Sequence, residues 1–158
     1  VDDKPLYEFD TDKLVYNAAD DIITGSGTAE DVLKKVEDEQ KTWGIVTNKS
    51  SYLTIPLLKA LSLDKRAACI VCGDTVKHNK PHPAPVIHAC KLMQANPAST
   101  IFIGDAKRDI ESGSKAGTKT LIALYGYIEN DANPDTWGAD GMVRSPNEIH
   151  TKLEQVGK

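Results

Sequence analysis

Cysteine is scarce and odd in number, with three residues (Cys69, Cys72 and Cys90) in a chain of 158. An odd, low count supplies no complete disulfide framework, which excludes the stapled secreted scaffolds and makes a reducing cytoplasm the expected compartment. Positive charge is in deficit: the formal net charge is −4, so no nucleic-acid partner is expected on electrostatic grounds. No apolar run approaches the ~20 residues that cross a bilayer, so no membrane partner is expected either. The acidic opening VDDKP carries no signal-peptide pattern. Internal repeats and low-complexity tracts are lacking too. What remains is an ordinary globular composition of 40% hydrophobic and 27% charged residues. It is long enough for one domain over residues 1–158 with a real core.

Cys69 and Cys72 have C-x-x-C spacing, but there is no second pair. Three positions apart on a strand, their side chains face opposite ways, so core packing is expected over metal or redox use. Cys90 is expected on the apolar side of a helix.

The chain is organised around TIFIGDAKRDIESGSKAG, residues 100–117. Its apolar run Ile101, Phe102, Ile103 ends at Gly104 and reads as a buried parallel strand. Residues 107–116 have helical composition, and Gly117 is a natural C-terminal stop. Strand, sharp turn and helix place Asp105 at the carboxyl edge of the sheet, where open α/β sheets bind ligands. Asp109 follows four residues later, so one helical turn brings the two carboxylates close. A cation relieves the repulsion, and hard oxygen ligands suit Mg²⁺. The bland alternative is that both aspartates only favour a helix N-terminus.

Earlier in the chain, residues 6–9 read as a short strand leading into Asp10 and Asp12, and residues 14–19 as a helix start. Residues 24–27 are a loop signal. Thr28 and Asp31 have near-capping-box spacing before a helical stripe of Val32, Leu33 and Val36 that ends near Gln40. Residues 43–46 form a buried strand ending at Thr47 and Asn48. A helix over 52–61 follows, with Pro56 expected in its first turn. Residues 68–72 are a strand, then a polar loop carries Lys80 just ahead of Pro81 and Pro83, and 84–95 are helical. Residues 120–124 and 141–143 are strands, and 146–156 a closing helix with Ile149 and Leu153 inward. Strands alternating with helices predict an α/β fold: a three-layer, doubly wound, mostly parallel sheet covered on both faces.

Parallel strands put all their carboxyl ends on one side. Asp10, Asp12, Thr47, Asn48 and Asp105 each follow a strand, so they can converge there with Lys80. Carboxylates, a hydroxyl and a fixed cation match the needs of phosphoryl transfer.

Four motifs in order resemble the haloacid dehalogenase-like phosphatases, and within them the phosphoglycolate phosphatases. They are WGIVTNK (43–49), KPHP (80–83), IFIGDAKRDI (101–110) and AGTKTLIALYGY (116–127). The resemblance implies a Rossmann-like core and hydrolysis of phosphoglycolate or a similar small phosphorylated metabolite. By that likeness Asp10 is the nucleophile and Asp12 the acid–base. Thr47, Asn48 and Lys80 hold the phosphate, and Asp10, Asp12, Asp105 and Asp109 hold or support Mg²⁺. His82 is expected to be structural, and His78, His88 and His150 to lie on surfaces or helix faces.

The family's first motif reads DxDGTL after an apolar strand, whereas here the stretch is YEFDTDKLV, without the Gly-Thr pair. Only residues 13–46, 34 in all, separate Asp12 from Thr47. The family's helical cap does not fit there, so a reduced or absent cap is expected, with 13–27 as its remnant. These departures motivate a second expectation, a member of the family that keeps the fold without turnover. A phospho-acceptor receiver module uses similar residues, but there the acidic pair precedes the hydroxyl and lysine, the reverse of the order of Thr47, Lys80 and the Asp105–Asp109 pair.

Overall fold

A computed structural model describes residues 29–156. Asp10 and Asp12, the expected strand at 6–9, the helix start at 14–19, the possible cap remnant at 13–27 and Thr28 lie outside the described residues. The helices are α1 (Ala29–Asp38), α2 (Ser51–Ala60), α3 (Ala84–Leu92), α4 (Lys107–Ala116) and α5 (Asn147–Val156). The strands are β1 (Ile45–Val46), β2 (Ile70–Val71), β3 (Ile101–Gly104), β4 (Lys119–Ala123) and β5 (Gly141–Val143).

Every described strand pair is parallel. β1 pairs with β2, with Ile45 opposite Ile70. β3, β4 and β5 form a second sheet in that order, with Phe102 opposite Thr120 and Leu121 opposite Gly141. Parallel neighbours require crossover connections, and α2, α4 and the loops supply them. No described strand joins β1 to β3. A cavity of about 640 Å³ lies between them, lined by Ile45, Val46, Phe102 and Ile103 with Val86 and Cys90 of α3.

Two apolar clusters cover the two faces. Val32, Leu33 and Val36 of α1, Leu58 of α2 and Ile149 of α5 pack on Ile45, Ile103, Leu121 and Val143. On the other face Val86, Ala89 and Cys90 of α3 pack on Val46, Val71 and Phe102. This is the α/β layering the alternation predicts. Leu121, Ile122 and Val143 have no exposed surface, and each such aliphatic side chain contributes about 1.5–3 kcal/mol by leaving water. Gly44 sits where a side chain cannot: a Cβ there would lie 2.4 Å from Cys69 Sγ.

Several boundaries differ from expectation. β1 and β2 are two residues each, shorter than the apolar runs that contain them, although the flanking Ala68 and Thr47 amides still bond across to the Trp43 and Val71 carbonyls at 2.8 Å each. α3 stops at Leu92, not at residue 95, where the chain turns through Gln94 at φ 54° and the Ala95 amide bonds to the Cys90 carbonyl at 2.9 Å. Pro56 lies in the middle of α2, not in its first turn. The bond it cannot make would end on the Tyr52 carbonyl. Tyr52 is 84% exposed, so water can take that place. All three cysteines are free and buried, as core packing requires.

Candidate active site

β1 ends at Val46, and Thr47 follows with 2% of its surface exposed. Its amide continues the ladder to the Val71 carbonyl at 2.8 Å, and its Oγ1 accepts from the Lys49 amide at 3.1 Å. The threonine is therefore fixed at the carboxyl edge by the strand before it and the turn after it. Asn48 reaches across to the next loop. Its Oδ1 accepts from the Lys80 amide at 3.0 Å, and its Nδ2 donates to the Lys80 carbonyl at 3.1 Å. Gly73 lets the two loops close: a Cβ there would lie 2.1 Å from the Asn48 carbonyl oxygen. Asp74 ties the same loop to the start of α2 by accepting from the Ser51 amide at 2.9 Å and hydroxyl at 2.6 Å. Those bonds hold its carboxyl below the usual carboxylate range.

Lys80 is buried, and its ammonium ends between two strands. Nζ lies 2.8 Å from Asp109 Oδ1, donates to the Val46 carbonyl at 3.1 Å, and sits 5.7 Å from the Phe102 ring centre. A charge removed from water stays ionised only with such partners. Asp109 uses its other oxygen on the turn after β3, accepting from the Asp105 amide at 3.1 Å and the Ala106 amide at 3.0 Å. This is the N3 half of a capping box, since Ala106 has no side-chain oxygen to return. Gly104 is required here: a Cβ would fall 2.2 Å from Asp109 Cβ. Asp105, 6% exposed, is held from the opposite side, where its Oδ2 accepts from the Tyr127 amide at 2.7 Å.

Of the residues expected at the site, Thr47, Asn48, Lys80, Asp105 and Asp109 come together at one carboxyl edge. Asp109 does more than favour a helix start, because one carboxylate joins Lys80 to the Asp105 turn. Asp10 and Asp12 lie outside the described residues. His82 Nδ1 accepts from the Ala84 amide at 3.0 Å, its ring stacks on His78 at 4.6 Å, and its carbonyl accepts from Ser112 at 2.7 Å. It shapes the lysine loop, as expected.

Three contributions escape a sequence reading: the side chain of Asn48 clasping the lysine backbone, the Tyr127 amide on Asp105, and Ser112 on the His82 carbonyl. All three are contacts between segments more than 20 residues apart. Only the amide-bearing side chain of Asn48 beside Thr47 gave a local signal. Asp105 supplies a buried carboxylate, the hard oxygen donor that Mg²⁺ takes, at a sheet edge where the neighbouring Lys80 cation is paired with Asp109.

Residues 8–123 match the family described as Haloacid dehalogenase-like hydrolase. The chain belongs to that family. It is 44% identical over 130 residues to an N-acetylmuramic acid 6-phosphate phosphatase of Pseudomonas putida, a match covering 82% of this chain and 58% of that protein. It is 37% identical over 116 residues to a phosphoglycolate phosphatase of Xylella fastidiosa, covering 73% and 51%. Among solved structures, a hydrolase from Pseudomonas syringae superposes with a TM-score of 0.72 at 25% identity, over 82% of this chain and 59% of that one. The chain thus spans a little over half the length of the curated relatives it matches.

Proposed function

We propose that this chain is the core of a Mg²⁺-dependent phosphatase that hydrolyses small phosphate monoesters through an aspartyl-phosphate. Phosphoglycolate and sugar phosphates are both candidate substrates, since relatives named for each are 37% and 44% identical to this chain. The observation that carries the reading is the buried Lys80–Asp109 pair, locked to the Asp105 turn at the carboxyl edge beside Thr47. A cation held there without water has the environment in which charge on a transferring phosphoryl group is stabilised most strongly.

In this reading the phosphate is bound by the Thr47 hydroxyl, the Asn48 amide and the Lys80 ammonium. The Asp10 carboxylate attacks phosphorus as the ester P–O bond breaks. Asp12 gives its proton to the departing alkoxide, then takes one from the water that splits the aspartyl-phosphate and releases inorganic phosphate. Asp105, with Asp10 and Asp12, holds Mg²⁺, which supplies neutralisation of the phosphoryl oxygens when bound. Asp109 acts one step removed, by fixing Lys80 and the Asp105 backbone.

The test is turnover of p-nitrophenyl phosphate and 2-phosphoglycolate with Mg²⁺, in the chain and in Asp10→Asn. Turnover that drops at least ~100-fold in Asp10→Asn, in line with loss of a covalent nucleophile, supports the assignment. Turnover that survives the substitution overturns it. Inactivity of both proteins identifies a folded member of the family that lacks catalysis.

A further inference from the structure

The chain between β4 and β5 does more than connect them. It leaves β4 with the Leu124 amide on the Val143 carbonyl at 2.8 Å and returns with the Asp140 amide on the Thr120 carbonyl at 3.0 Å. Between those two ties it bulges outward at the carboxyl edge, on the Asp105 side. Tyr127 stands at its near end, 64% exposed, and its amide is the one bonded to Asp105. Trp137 stands at its far end, seated on a 3₁₀ turn over Pro134–Thr136, with its amide on the Pro134 carbonyl at 3.1 Å. Gly138 follows at φ 77°, the left-handed conformation that sends the chain back toward the sheet.

These residues border a second, half-open cavity of about 400 Å³, whose lining includes Asp105, Lys107, Arg108, Tyr127, Glu129, Asp131 and Trp137. Two aromatic rings, a guanidinium and carboxylates around one hollow supply flat apolar surfaces together with hydrogen-bonding groups of both kinds. A hollow of this size lies within the range that takes a ring-sized ligand. The two-carbon alcohol part of phosphoglycolate would leave most of it to water. A hydroxyl-rich ring fits both properties: its C–H face lies on an aromatic side chain, and its hydroxyls donate to the carboxylates.

We propose that the cavity between Asp105, Tyr127 and Trp137 receives the alcohol part of the substrate, and that this part is a hydroxyl-bearing ring. The inference rests on the phosphatase reading for the place of the phosphate, which sits at the shared wall, Asp105. Tyr127 and Trp137 are then specificity-determining residues for ring-bearing phosphate esters.

The two tryptophans make the test direct. Trp43 is buried, with its indole N–H on Glu37 at 3.0 Å, while Trp137 lines the cavity. The probes are N-acetylglucosamine 6-phosphate, 2-phosphoglycolate and inorganic phosphate, titrated into the full chain carrying Asp10→Asn, with intrinsic fluorescence as the readout. The sugar phosphate is expected to change the emission and to bind at least tenfold more tightly than phosphoglycolate. The change should persist in Trp43→Phe and vanish in Trp137→Phe. Trp137→Ala should weaken the sugar phosphate at least tenfold and phosphoglycolate less than threefold, with circular dichroism unchanged. Equal affinity for the two esters, or an equal loss for both in Trp137→Ala, overturns the proposal. Failure of the phosphatase reading is seen separately, as absent turnover by the unsubstituted chain; ring-selective binding at Trp137 would survive that result.

Discussion

The Lys80–Asp109 pair sets the character of the site at the scale of single residues. Both side chains are almost wholly withdrawn from solvent. Desolvating two charges is costly, so the pair is better understood as a positioning device than as a source of stability. Removing one partner leaves the other charge buried alone. Lys80→Met is therefore expected to lower unfolding free energy by about 3–5 kcal/mol, measured by urea denaturation, and to abolish turnover. Adding Asp109→Asn to it should restore part of the stability and none of the activity. If Lys80→Met alone is as stable as the parent, the two charges are not coupled in the folded protein. The cysteines give a second check at this scale. Burial pushes the Cys69 thiol up to about 11, and those of Cys72 and Cys90 upward as well. Thiolates are the reactive form, so native protein at pH 8 should react with a disulfide reagent at least tenfold more slowly than protein unfolded in denaturant. Reaction of any thiol at the unfolded rate would contradict its placement in the core.

At the scale of elements, an arginine cluster fastens α1 to the segment after α2. Arg66 bonds Glu37 at 3.0 and 3.1 Å and Glu30 at 2.9 and 2.8 Å. Arg66 holds the Glu37 carboxyl below its ordinary range, with help from the Trp43 indole. A carboxylate whose folded pKa is depressed contributes stability above its unfolded pKa, near 4.5, and that stability is lost as the pH falls through the folded value. The groups are about one-third exposed, so the contribution is modest, about 1 kcal/mol for the cluster after screening. Arg66→Met should thus reduce stability at pH 7 by about that amount, and the difference from the parent should shrink as the pH falls below 4.5. A deficit that stays constant down to pH 3 would mean that Arg66 acts through packing alone.

At the scale of the whole molecule, four loops separated along the chain meet over one edge because every described strand pair is parallel. That convergence gathers negative charge at Asp105 and predicts a linked response to metal. Adding Mg²⁺ should raise the thermal midpoint progressively with the logarithm of its concentration above Kd, since a ligand that binds only the folded state stabilises it. EDTA should reverse the shift and remove turnover together. Asp105→Asn should abolish the Mg²⁺-dependent shift while leaving the fold intact, and a shift that persists would move the metal elsewhere.

The amino-acid sequence by itself determined the local pieces. Apolar runs of three to five residues bounded by polar turns made strands, a 3.6-residue stripe at Val32, Leu33 and Val36 made α1, and Gly117 at φ 89° closed α4. Thr47, Lys80 and Asp105 were legible as candidate site residues because each sits just past a strand or before a helix, and that spacing is a property of the chain alone. Strand ends, the mid-helix position of Pro56 and the early stop of α3 were not legible, because they depend on which backbone groups find partners or water. Tertiary structure alone decided the clasp of Asn48 on Lys80, the Tyr127 amide on Asp105 and the ringed hollow beside it. Each joins segments distant in sequence, and a contact between distant segments exists only once the strands between them have taken their order in the sheets.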